Sequence, residues 1–190
     1  VVSSVVLYGV LVAAVGLERL AELAVSARNI RAAKARGAVE RGLGHYPAMV
    51  ALHTGLLVGA VTEVVVADRP FLGWLGWPML ALVVAAQALR WWCIRTLGPQ
   101  WSTRVVVLPG APLVQTGPYR WLRHPNYLAV VIEGIALPLV HTAWMTAAVF
   151  TVANALLLRT RIRCEEAALR ELAVGPADPA GRTGHGTATR

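Results

Sequence analysis

Apolar residues fall along this chain in five long runs: Val1–Leu17, Met49–Ala67, Trp74–Leu89, Tyr127–Val140 and Ala143–Leu158. Several approach the roughly 20 residues that a helix needs to cross a ~30 Å hydrocarbon core. The pattern predicts an all-α integral membrane protein of about five transmembrane helices. The last two runs are short, since the 14 residues of Tyr127–Val140 rise only about 21 Å as a helix. With Pro138 and His141-Thr142 between them, they read as a short helical hairpin, tilted or stopping before the far surface.

Between the runs the periodicity changes. In GLERLAELAVSARNIRAAKARG, Leu17, Leu20, Leu23 and Ala24 keep a helical stripe while Glu18, Arg19 and Glu22 occupy another face. The first span is therefore expected to run on as a helix until Gly37 and Gly42-Leu43-Gly44 stop it. Tyr46-Pro47 opens the second span, with proline at a tolerated first-turn position, and the third ends near Leu97-Gly98-Pro99. From Gln100 to Gln115 the chain is rich in valine and broken by Pro-Gly and Ala-Pro. That stretch predicts a short strand, a turn and a second extended piece. RTRIRCEEAALRELA reads as an amphipathic cytoplasmic helix, and the Gly/Pro/Thr-rich residues 175–190 as a disordered tail. Residues 1–174 form a single membrane domain without internal repeats.

Composition excludes an ordinary soluble domain: of 190 residues, 56% are hydrophobic and only 15% charged. The first run lacks a basic leader and a small-residue cleavage site, so it is expected to be a span, not a cleaved signal. The net charge of +8 would suggest nucleic acid in a soluble protein. Here its placement points elsewhere. Arg28, Arg31, Lys34, Arg36 and Arg41 follow the first span, Arg95, Arg104, Arg120 and Arg123 the third, and Arg159, Arg161, Arg163 and Arg170 the fifth. The intervening turns are nearly neutral, as the positive-inside rule requires for an outside N-terminus and a cytoplasmic C-terminus. The partner is membrane lipid, with no nucleic acid. An Ala/Val/Arg-rich chain suggests a bacterial inner (plasma) membrane. Cys93 and Cys164 lie near cytoplasmic span ends, where a disulfide is not expected. Without Cys/His clustering, neither is a metal.

Three constellations carry candidate chemistry. The stretch Gly117-Pro-Tyr-Arg-Trp-Leu-Arg-His-Pro-Asn-Tyr127 places Arg120, Arg123 and His124 at a helix start opened by Pro125, a site suited to anions. Tyr119, Trp121 and Tyr127 can sandwich a flat ring; a juxtamembrane basic-aromatic belt would look the same. Glu165 and Glu166, below the last span, could meet vicinal hydroxyls or a cation, or simply pair with neighbours such as Arg161 and Arg170. Glu133, His53, Glu63, Glu18 and Asn154 are polar groups within spans, where acids usually face protein interior. Glu133 lies about 9 Å deeper along the helix than Tyr127. Glu63 is expected near the outer interface, in solvent.

Taken together, LVQTGPYRWLRHPNYLAVVIEG and the later RIRCEEAAL resemble the isoprenylcysteine carboxyl methyltransferase family, over roughly residues 97–172. Arg123-His124-Pro125-Asn126-Tyr127 and Glu165-Glu166 match the family's Arg-His-Pro-X-Tyr motif and Glu-Glu pair. ERLAELAVSARN is similar to bacterial members, some of which O-methylate long-chain pyrones, resorcinols or quinones. The resemblance implies S-adenosylmethionine as methyl donor. It assigns Val114, Gly117, Tyr119, Arg123, His124, Pro125, Tyr127, Glu165 and Glu166 to the cofactor, Arg161 to the reacting groups, and a lipophilic acceptor from the bilayer. Ala129 stands where the family often has glycine, the mildest replacement there.

Methyl transfer is an in-line displacement, so alignment is the main task. An anionic acceptor needs only a cation such as Arg161. A phenol, with pKa near 10, needs a base, which Glu133 or His53 could supply, although Glu133 reads better as a polar anchor. The Arg-His-Pro-Asn-Tyr stretch is also similar to NADPH-dependent sterol or steroid reductases. Those place an acid where Ala129-Val130-Val131 stands here, and the Glu pair would repel a 2′-phosphate. A non-enzymatic small membrane subunit would spread polar residues along several spans.

Overall fold

The computed structural model describes residues 2–41, 44, 46–109, 111–112 and 114–173, without the side chains of Val2 and of 169–173. The expected stop at Gly42-Leu43 and the expected disordered tail lie outside these residues. The chain forms α1 (Val2–Lys34), β1 (Val39–Arg41), α2 (Tyr46–Val66), α3 (Gly73–Leu97), β2 (Val105–Val107), α4 (Pro125–Leu139) and α5 (Trp144–Ala173). Helices α1, α2, α3 and α5 are long and apolar enough to cross a membrane. The protein is an all-α membrane bundle with one short central helix.

That helix, α4, has 15 residues and so rises about 22 Å, short of a ~30 Å hydrocarbon core. It packs between α3 and α5, burying Ala129, Glu133, Gly134, Ala136, Leu137 and Pro138. Protein, not lipid, surrounds its polar groups. The expected pair of short helices is thus half right. Helix α5 runs unbroken for 30 residues, about 45 Å, and absorbs RTRIRCEEAALRELA. That stretch contains neither glycine nor proline to end the helix.

The segment after α3 contains the expected short strand, Val105–Val107. It pairs antiparallel with β1, Val39 opposite Val107 and Arg41 opposite Val105. Charge selects this partner. Glu40 accepts from Arg104 Nη1 at 3.0 Å and forms an ion pair with Lys34. Asn29 of α1 donates to the carbonyls of Gly98 and Trp101, at 3.0 and 2.9 Å, and Ser26 bonds Thr103. The segment is therefore laced to α1 along its length.

At the opposite end, Tyr8, Val12 and Val15 of α1 meet Ala60 and Val64 of α2, Val83 of α3, and Ala136 and Leu137 of α4. Tyr8 donates to the Leu137 carbonyl at 3.1 Å. Glu63 is not in solvent, as its position in the sequence suggested: its side chain is 9% exposed. It accepts from the Thr146 backbone N–H at 2.7 Å, the Thr146 hydroxyl at 2.8 Å and the Met145 N–H at 3.2 Å. The free N–H groups of the first turn of α5 draw the carboxylate inward. Arg69 adds a charge-assisted bond at 3.1 Å.

Gly134 permits the close approach of α4 and α5. A Cβ there would lie 2.0 Å from a ring carbon of Phe150. Gly134→Ala is expected to cost about 1–3 kcal/mol, read as a lower melting temperature in detergent.

Candidate active site

The site begins with a turn that only glycine allows. Gly117 has φ +55, and a Cβ on it would meet Thr96 Oγ1 at 2.6 Å and Trp92 Nε1 at 3.1 Å. The 3₁₀ turn Gly117–Arg120 is thereby seated on the C-terminal part of α3. This brings the Tyr119 hydroxyl to the Cys93 thiol; burial, with the thiol beside it, pushes the phenol well above its ordinary pKa, so it stays protonated. Pro125 then opens α4 at a position where its missing N–H costs nothing.

Tyr127 is the junction. Its ring stacks on His124, centroids 5.1 Å apart and planes 17° apart. Its hydroxyl donates to Glu165 and accepts from Arg161 Nε at 2.9 Å. Arg161 and Glu165 are one helical turn apart on α5, so both reach the same phenol. The Arg161 guanidinium also sits 5.3 Å from the Tyr127 ring centroid and points Nη1 at the Met49 sulfur.

Two cavities meet here. One, of about 130 Å³, is lined by Tyr119, Arg123, His124 and Tyr127, by Arg161 and Glu165 of α5, and by residues 104–107. The other, of about 290 Å³, has walls of Leu20, Leu23, Leu57, Val130 and Leu157, with His53, Asn154, Arg19, Glu22 and Arg90 among them. Trp101, Asn126, Tyr127 and Arg161 line both. A polar chamber and a largely apolar one thus share a wall made of hydrogen-bonding groups.

Behind the apolar chamber lies a buried ion network. Glu133, 3% exposed, accepts from Arg19 of α1 at 2.7 Å and Arg90 of α3 at 2.9 Å. Arg19 also pairs with Glu22 at 2.9 Å and donates to Gln87 at 3.0 Å. Gln87 and Trp91 both donate to Glu18. Glu133 therefore lines neither cavity. It holds the two arginines that line the apolar one, and its carboxylate oxygen is already occupied.

Of the residues expected to meet cofactor, Tyr119, Arg123, His124, Tyr127 and Glu165 come together around the polar chamber, and Arg161, expected at the reacting groups, joins them. Val114, Gly117, Pro125 and Glu166 are not in its lining. Gly117 and Pro125 shape the backbone instead. The expected aromatic sandwich does not form: Trp121 is 68% exposed and packs edge-on against Trp92. Sequence reasoning missed Arg90, Trp101 and Asn126 and the role of Arg19. The one signal for the arginines was charge, in the acidic-basic face of α1 and in Arg90 closing an apolar run.

Comparison with known proteins decides the lineage. Residues 79–171 match the isoprenylcysteine carboxyl methyltransferase family. The chain belongs to that family. It is 37% identical over 169 residues to the uncharacterized protein YpbQ of Bacillus subtilis, covering 88% of this chain and 99% of YpbQ. It is 29% identical over 157 residues to an uncharacterized protein of Haemophilus influenzae, covering 81% and 90%. The family match runs from within α3 into the end of α5 and takes in the motif residues of the polar chamber. It leaves out α1 and α2, which bring Arg19, Glu22 and His53 to the apolar one. Family membership makes this a protein of a membrane methyltransferase family.

Two outcomes follow from the charges. Glu133→Ala leaves two buried guanidiniums without their shared anion and is expected to destabilise by about 3–5 kcal/mol, read as thermal unfolding in detergent. Glu40 differs, being tied to the chamber wall through Arg104. Lys34 first, and Arg104 with it, hold its carboxyl below the ordinary range. Its contribution is therefore complete above the unfolded value of about 4.3 and is lost as pH falls through the lower folded value. Hydrogen-exchange protection of Val105–Val107 should fall with acidification across that window, and Glu40→Gln should abolish the dependence.

Proposed function

We propose that the protein transfers a methyl group from S-adenosylmethionine to an oxygen of a lipophilic acceptor taken from the bilayer. The acceptor is an alkylpyrone, alkylresorcinol or related phenolic lipid, or an isoprenylcysteine-type carboxylate. The observation that carries this reading is the shared wall between a polar chamber and an apolar one. A soluble donor and a lipid acceptor need such a meeting place, and family membership supplies the reaction class.

The donor set of the polar chamber suits the cofactor. Glu165 offers a carboxylate to ribose hydroxyls or an ammonium, Arg123 a guanidinium to a carboxylate, and the His124–Tyr127 stack a flat face to a purine. S-adenosylmethionine, when bound, supplies an electrophilic methyl on a sulfonium whose sulfur is the leaving group. The chain supplies orientation and dryness. Tyr127 anchors Arg161 at the common wall, where the guanidinium can hold the acceptor oxygen, and the apolar walls exclude water from the reacting atoms. The chambers open among the basic helix ends, so the site is assigned to the cytoplasmic face of an inner membrane, N-terminus outside, where the donor is dissolved.

The reductase reading rested on the Arg-His-Pro-Asn-Tyr stretch alone, and the family match now accounts for that stretch. Calorimetry in detergent tests the choice. S-adenosylhomocysteine should bind and NADPH should not. His124→Ala and Glu165→Gln should each weaken S-adenosylhomocysteine by roughly tenfold or more. Unchanged affinity in both variants would refute the cofactor site.

A further inference from the structure

The apolar chamber holds a histidine whose tautomer is set. His53 lies on α2, and its Nδ1 is 2.9 Å from the main-chain carbonyl of Met49, one turn earlier. A carbonyl can only accept, so Nδ1 carries the proton of the neutral ring and Nε2 keeps a lone pair. Phe150 packs edge-on against the imidazole, centroids 5.4 Å apart at 87°, and fixes the ring plane. Among the described residues Nε2 meets no hydrogen-bond partner.

Glu22 in the same lining already pairs with Arg19 at 2.9 Å and with Arg90 at 3.5 Å, whereas the lone pair of His53 Nε2 is one that a ligand in the chamber can meet. An ionised carboxylate brings no proton to that lone pair; a ring hydroxyl does.

We propose that the acceptor enters this chamber as a protonated hydroxyl and that His53 Nε2 is the base that removes its proton. The inference rests on the methyltransferase reading above and narrows its acceptor. The hydroxyl proton passes to Nε2, giving an imidazolium. The freed oxygen lone pair forms the new bond to the methyl carbon, the carbon–sulfur bond breaks, and its electron pair stays on sulfur. The neutral thioether, the methyl ether and one proton on His53, later released to solvent, balance the charge of the sulfonium and the neutral hydroxyl. Charged groups around the ring are Arg19 and Glu22 of α1, Arg90 of α3, Glu133 of α4 and Arg161 of α5. They leave the imidazole as the one uncharged base in the chamber lining.

Pentadecylresorcinol and hexadecanoate share a tail and differ in the head, hydroxyls against a carboxylate. Purified wild-type protein in detergent, loaded with S-adenosylhomocysteine, should bind the resorcinol more tightly than the carboxylate in calorimetry. With S-adenosylmethionine it should methylate the resorcinol. His53→Gln should lower that kcat roughly 100-fold or more, while S-adenosylhomocysteine affinity and melting temperature stay at wild-type values. Preference for hexadecanoate, binding of neither probe, or undiminished kcat in His53→Gln overturns the proposal. The wild-type preference needs no variant and stands as a test even if His53→Gln does not fold. Failure of wild-type protein to bind S-adenosylhomocysteine would instead remove the reading on which the proposal rests.

Discussion

A carboxylate inside a membrane bundle has to be matched there, and Glu133 is matched twice. Insertion scales put a single central charge at about 2.5–3.5 kcal/mol, so four in one neighbourhood would be prohibitive if each stood alone. Arg19, Glu22, Arg90 and Glu133 instead sum to no net charge and bond one another across three helices. The cost is offset only while α1, α3 and α4 keep their places. Any rotation of one helix about its axis strands a charge in a low-dielectric interior. The short α4 is held at the centre of the bundle by this requirement as much as by its apolar packing. The same constraint positions the arginines in the wall of the larger chamber.

What could be read in the sequence divides by range. The polar chamber was largely legible because its parts are local. Arg123 to Tyr127 is five consecutive residues, and Arg161 and Glu165 are one helical turn apart, so family likeness and helical geometry both reach them. Helix ends at Tyr46 and Leu97 were legible for the same reason, being written in proline and glycine. Partnerships between elements were not. The charged face of α1 was visible, but nothing in ERLAEL says that Arg19 meets a carboxylate in α4. Glu63 looked solvated because the N–H groups it accepts from lie some 80 residues away. The short strand at Val105–Val107 was legible, but its partner was not: Glu40, with Lys34 and Arg104, ties it to a strand distant in sequence.

The two chambers answer different solvents, and their common wall is where those demands conflict. Tyr127 resolves the conflict by being amphipathic. Its ring stacks on His124, and its hydroxyl joins Arg161 and Glu165. A purely apolar residue there would leave the Arg161 Nε–H without an acceptor. A charged one would sit against the apolar walls of the larger chamber. The phenol pairs both α5 groups without adding charge, and it passes the orientation of α5 on to the start of α4.

This arrangement also explains why the far end of the bundle is tied so firmly. Reaction geometry at the wall depends on the angle between α4 and α5, which meet again at their other ends through a very short turn. There Glu63 holds the first turn of α5, Thr142 takes a left-handed conformation with its hydroxyl on the Pro70 carbonyl at 2.7 Å, and Tyr8 fixes the end of α4. The absence of a side chain at Gly134 lets Phe150 sit against α4 between these two regions. A hinge left loose at the turn would swing Arg161, more than a dozen residues down α5, by far more than a hydrogen bond tolerates. Rigidity at the closed end is therefore what allows three separate helix termini to present a single reacting geometry at the open end.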